Sequence, residues 1–167
     1  MEIGIETSPK LRVGLPHNMR PIDLSMEQLA NAHNVNPQTV SDMLDMIAFI
    51  ESSKGIGPGS GMQPDGSIVQ YYRDKNTGET KKGDGRGYYQ LEEGDWRGGF
   101  GRLRDAVNAP NLNGKNLTPV WLKDIYDQVL KETTEDNRTF DANRLSKKQQ
   151  DFVMATNMLL PQFKHYV

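Results

Sequence analysis

A carboxylate at the end of an apolar helix is the first group in this chain with an evident chemical use. Around Asp42–Ser53, DMLDMIAFIESS, the apolar positions Val40, Leu44 and Ile47 recur at helical spacing, and one more step of four along that face reaches Glu51. A carboxyl closing a buried stripe is partly desolvated, which disfavours its charged form and raises its pKa. A carboxyl that keeps its proton near neutral pH is what a general acid requires. The competing reading is that Glu51 caps the exposed end of a core helix and stays solvated, as most glutamates do.

A second segment, Gly85–Glu92 (GRGYYQLE), follows some forty residues later. Glu51 with Ser52 and Ser53, then a Gly-rich interval, then Gly87-Tyr88-Tyr89-Gln90-Leu91 resembles the lytic transglycosylases and goose-type lysozymes. The likeness covers roughly Pro37–Leu103. It implies an α+β, mostly helical, lysozyme-like fold with a small β-hairpin lobe and a cleft between hairpin and helices, with Glu51 at the cleft floor. It also implies that Glu51 is the sole catalytic acid/base, that Gln90 lines the sugar-binding cleft, and that no metal or cofactor takes part. Ser53, Tyr88 and Tyr89 are the other substrate-binding candidates, since serines next to the acid and aromatic faces suit a glycan. Packing across the hairpin is the competing use of Tyr71, Tyr72, Tyr88 and Tyr89.

The chemistry implied is cleavage of the β-1,4 link between N-acetylmuramic acid and N-acetylglucosamine. Glycoside hydrolases need two carboxylates, whereas lytic transglycosylases use one Glu and the substrate's own N-acetyl group. Asp65, Asp74 and Asp84 are the available second carboxylates, and Asp84 is the best placed, three residues before Gly87. In hen-type lysozymes the second carboxylate lies two residues before the matching Gly, a position held here by Gly85. The later-helix Tyr-Asn element of the transglycosylases has only a partial echo in Ala155-Thr-Asn157. One-Glu chemistry is therefore the first expectation, a two-carboxylate lysozyme the second. A non-catalytic virion protein with the same fold is the third.

Composition bounds the rest. A chain of 167 residues suits one domain with a single core, expected as N-terminal helices over 1–53, a Gly-rich loop and hairpin over 54–94, and C-terminal helices over 95–167. Cys is absent, which excludes disulfides, thiol catalysis and thiolate metal sites. His17, His33 and His165 are scattered without metal-ligand spacing. The opening MEIGIETSPK has no signal-peptide core, and no apolar run is long enough to span a membrane. A wall-degrading protein of this kind is expected in a bacteriophage virion or delivered to the bacterial periplasm by a lysis system, with glycan strands and other virion proteins as partners.

Thirteen of the sixteen glycines lie between Gly55 and Gly101, separating two helical regions from a hairpin middle. Ser25 with Gln28 forms a capping box for a short first helix, and Asn36 with Pro37 opens the next. Ser67–Arg73 reads as a strand, Asp74–Gly78 as a turn and Glu79–Lys82 as its partner strand. Asp95 would cap a helix running to Asn108 and stopped by Pro110. Thr118 and Pro119 open another helix with Trp121, Leu122, Ile125, Val129 and Leu130 on one face. Ser146 with Gln149 caps a last helix, ended by Pro161.

Two motifs compete with the glycan reading. Leu24–Leu44 has helix-turn-helix spacing, but from Pro21 to Ser53 there is no Lys or Arg and there are five acidic residues. Affinity for DNA comes mainly from cations on phosphates, so nucleic acid is excluded as a partner. Gly83–Gly87 (GDGRG) lacks the phosphate-loop pattern and reads as a flexible turn into the YYQ segment. The stretch Tyr71–Arg104 is mildly basic, with eight Lys/Arg against six Asp/Glu, which suits an anionic mesh.

Overall fold

The computed structural model describes residues 24–53, 61–94, 97–109 and 117–160. The expected cap at Asp95 and the expected stops at Pro110 and Pro161 lie outside the described residues. Among the described residues, five α-helices and a small antiparallel sheet make an α+β fold. The order is α1 (Leu24–Ala32), α2 (Pro37–Ser53), β1 (Gly61–Met62), β2 (Ile68–Arg73), β3 (Thr80–Arg86), β4 (Leu91–Glu92), α3 (Gly99–Val107), α4 (Val120–Glu132) and α5 (Lys147–Met158). Short 3-10 turns at Glu135–Asn137 and Ala142–Arg144 join α4 to α5. Among the described residues no helix is long and apolar enough to cross a membrane.

Local chemistry accounts for most boundaries. Asn36 caps α2, its Oδ1 accepting the Gln38 amide at 2.8 Å with Pro37 at the first helical position. Ser146 and Gln149 form a reciprocal capping box at the start of α5. The first helix departs from expectation: it begins at Leu24, so Ser25 lies within its first turn instead of before it. The third begins at Gly99, where the backbone is pressed against Phe140 and, at Gly98, against Glu92. A Cβ at Gly98 would stand 2.0 Å from the Glu92 carbonyl oxygen, so no other residue fits there.

The core is helical and α5 is its hub, packed against α1, α2 and α3, with α4 covering α3. Leu44, Leu103, Leu122 and Leu159 are fully buried in one apolar cluster with Ile68 from the sheet. Trp121 meets Phe152 edge to face, and Phe100 stacks with Tyr126. Asn157 is buried too, its amide donating to the carbonyls of Arg102 and Val153. That bond joins α5 to α3, which gives the Ala155-Thr-Asn157 echo a packing role.

The sheet is a meander in the order β1-β2-β3-β4. Strand β3 runs further than expected, through Arg86, so the GDG segment is strand and not a flexible turn. Its pairing with β2 jumps from Tyr71↔Lys82 to Val69↔Arg86, a bulge that leaves Gly83, Asp84 and Gly85 opposite Gln70. Glycine on both sides of Asp84 lets two glutamine side chains lie close to the strand: a Cβ at Gly83 would meet Gln70 Oε1 at 2.6 Å, and one at Gly85 would meet Gln90 Oε1 at 2.7 Å. The hairpin is buried at its base and exposed at its tip, where Gly78 takes a φ of 72°.

Candidate active site

The helix bearing Glu51 does not bury it. The inward face of α2 runs Val40, Leu44, Ala48 and Ser52, each four residues on, and passes Glu51 by one position. Ser52 is the residue drawn inside, its hydroxyl donating to the Ala48 carbonyl at 2.6 Å. Glu51 is therefore exposed, in contrast to the desolvated end expected of the stripe. Ser53 closes the helix, and its side chain lies outside the described residues. The end of α2 meets the sheet directly. A Cβ at Gly61, the first residue of β1, would stand 3.8 Å from the Ser52 carbonyl oxygen. Ile50 on the helix and Met62 on the strand are both exposed beside this junction.

The second motif forms a turn, Gly87–Gln90, between β3 and β4. Its tyrosines are not an open wall: Tyr88 is 6% exposed and Tyr89 4%. Nor do they pair with Tyr71 and Tyr72, which lie opposite Lys82 and Lys81. They pack instead on α5. The Tyr88 amide donates to Gln150 Oε1 at 2.9 Å, and the Tyr89 hydroxyl donates to Asp151 Oδ1 at 2.5 Å. Lys147 forms a buried ion pair with Asp151. Its ammonium sits 5.2 Å from the Tyr88 ring centroid and 5.6 Å from that of Tyr89. Gly87 has a φ of 76°, and a Cβ there would meet Gln150 Oε1 at 2.5 Å. Two constraints thus select glycine at one position.

Gln90 itself takes the left-handed conformation, φ 49°, which is uncommon for a side chain of its size. Its Nε2 donates to the Gly87 carbonyl at 2.9 Å, while its Oε1 is buried without a partner. Arg86 underpins the turn from the strand side. It donates to the Gly83 and Gly85 carbonyls, and its Nε lies 2.8 Å from Glu93 Oε1, an ion pair whose angle does not make a hydrogen bond.

A half-open concavity of about 640 Å³ lies between the β1–β2 turn and the start of α5. Met62, Asp65, Tyr88, Asn143, Lys147 and Gln150 contribute to its lining, so the structure brings Tyr88 to a cleft wall. Gln90 and Glu51 are not among the described residues that line it.

The three aspartates differ sharply. Asp65 is held by the Ser67 hydroxyl and amide, which keep its pKa below the usual carboxylate range. Asp74 is held low by Lys81 and by the amides of Asn76 and Thr77, an arrangement that builds the hairpin turn. Asp84 stands exposed on the bulge between its two glycines. Among the described residues no cluster of His, Asp and Glu is arranged to hold a metal ion.

Burial, with the nearby Asp151 carboxylate, pushes the Tyr88 phenol up to about 12. A spectrophotometric titration of the folded protein should contain a tyrosine transition with a midpoint near 12 that is lost in Tyr88→Phe. The folded state holds this proton more tightly than the unfolded state does. Its contribution to stability is therefore complete below about pH 10 and disappears as the pH rises towards 12. A Tyr88 that titrates with the exposed tyrosines would contradict its packing on α5.

Sequence reasoning missed Lys147, Gln150 and Asp151. A Lys and an Asp four apart at a helix start read as a surface ion pair, and nothing in the spacing distinguishes this buried one. Comparison with protein-family models, curated proteins and solved structures gave no match.

Proposed function

We propose that this chain is a peptidoglycan-cleaving lytic transglycosylase with a lysozyme-like fold, in which Glu51 acts alone as general acid and base. The observation that carries this reading is the junction of α2 with the sheet. A helix ending in Glu51-Ser52-Ser53 abuts β1, and the same small sheet leads into the sharply constrained Gly87–Gln90 turn. Glu51 is exposed and so open to a long polymer; a glycan strand laid over Ile50 and Met62 would exclude water from the carboxyl. Glu51 would then protonate the bridging oxygen while the substrate's N-acetyl group stabilises the sugar cation. The resulting carboxylate would take a proton from the 6-hydroxyl as the 1,6-anhydro ring closes. Gln90 would contact the glycan, and Tyr88 and Tyr89 would support that contact from behind. The place of action is a bacterial cell wall, reached from a virion or a lysis system.

A two-carboxylate lysozyme is the second reading, favoured by the bulge that holds Asp84 out between two glycines. Mass spectrometry of digested peptidoglycan separates the two. One-Glu chemistry should leave muropeptides ending in 1,6-anhydro-muramic acid, with Asp65→Asn, Asp74→Asn and Asp84→Asn each keeping most activity. Reducing-end products together with an inactive Asp84→Asn would establish the lysozyme. Undigested peptidoglycan would leave the non-catalytic virion protein as the third reading.

A further inference from the structure

Lys147 occupies a place that local rules disfavour. It is the first residue of α5, where the helix dipole repels a cation, and its side chain is 1% exposed. Removing an ammonium and a carboxylate from water costs several kcal/mol for each ion, and a well-packed apolar pair at such a site is often as stable or more so. Stability alone does not explain this pair. Its contacts point elsewhere: Lys147 bonds Asp151, Asp151 accepts from the Tyr89 hydroxyl, and the ammonium lies against both tyrosine rings of the turn. Gln150, between them in sequence, receives the Tyr88 amide. A conformation strained at Gln90 persists only when its surroundings hold it, and this set fixes the two residues before it.

We infer that Lys147, through Asp151 and the two tyrosine rings, is a positioning residue that holds the Gly87–Gln90 turn in the geometry that presents Gln90 to the substrate. This rests on the reading of Gln90 as a glycan contact; the positioning itself is independent of that reading. Lys147 sets the turn, and the turn sets Gln90.

The test separates positioning from stability. In the triple variant Lys147→Met/Asp151→Leu/Tyr89→Phe the three polar groups joined through Asp151 are replaced by apolar ones of similar size, and Gln150 is kept. It should melt cooperatively within about 4 °C of the parent or above it. The hydrogen exchange of the Tyr88 amide should nonetheless speed up at least about tenfold, and the Gln90 side-chain amide resonances should move. On soluble glycan strands KM should rise about tenfold with kcat changed much less, the pattern of a displaced binding group. A stable triple variant with unaltered Tyr88 exchange and Gln90 resonances would overturn the inference. The parent protein supplies a reading that needs no variant: the Lys147 methylenes should be shifted upfield by the tyrosine ring currents, and random-coil shifts would overturn the inference equally. Should the parent release no muropeptides, the proposed enzyme falls, while the exchange and resonance measurements still decide whether Lys147 positions the turn.

Discussion

Glu51→Gln should lower peptidoglycan cleavage by about two to four orders of magnitude, the usual scale for losing a general acid. The amide matches the carboxyl in shape, and the exposed site makes no demand on folding, so the melting temperature should not change. The comparison that gives the result its meaning is with Asp84→Asn, a loss of charge on the neighbouring sheet. If Glu51 is the only catalytic carboxyl, the first change abolishes turnover and the second does not. Release of muropeptides at parental rate by a folded Glu51→Gln protein would rule out the enzyme proposed here. The expectation also has a kinetic form. Because the acid acts in the transition state, kcat should fall and KM should hold.

Asp151→Asn should destabilise the protein by about 3–5 kcal/mol, the cost of leaving a buried ammonium without its counter-charge. Asn keeps an acceptor for the Tyr89 hydroxyl and nearly the same volume, so the loss isolates the charge on Lys147. For a domain of this size that is a drop in melting temperature on the order of 10 °C. Urea unfolding followed by circular dichroism measures it; a loss under about 1 kcal/mol would mean that the pair is solvated in solution. The exposed ion pair Arg144–Glu132 is the control. Glu132→Gln there should cost less than about 1 kcal/mol, as surface pairs do.

The helices were legible in the sequence because their signals are local. Asn36-Pro37 and Ser146-x-x-Gln149 announce α2 and α5 through bonds made within three residues. The face Trp121, Leu122, Ile125, Val129 and Leu130 packs on the core as its spacing requires. The site was less legible, for two physical reasons. Steps of four from Leu44 select the buried Ala48 and Ser52, while steps of three and four through the half-buried Ile47 arrive at the exposed Glu51, and both paths fit a helix of 3.6 residues per turn. A single position decides whether a carboxyl is buried or exposed. The tyrosines of the turn are held by residues 62 positions away, and no local pattern encodes which polar groups a distant helix will present. The bulge at Gly83–Gly85 reads as a turn for a related reason: in a sequence, glycines that avoid clashes within a strand look the same as glycines that end one.

Another long-range bond has a consequence for how the chain is made. The Asn143 side chain lies against β2 as an extra strand would, accepting from the Ile68 amide at 2.8 Å and donating to the Ile68 carbonyl at 3.1 Å. The two residues are 75 positions apart. A ribosome adding 5–20 residues each second delivers Asn143 about 4–15 s after Ile68. Throughout that interval the Ile68 amide must be satisfied by water or by a chaperone, whereas the Ile68 carbonyl already has the Gly87 amide at 2.9 Å. The base of the hairpin therefore emerges early and is completed late, which leaves one strand amide open to pairing with a neighbour in the nascent chain.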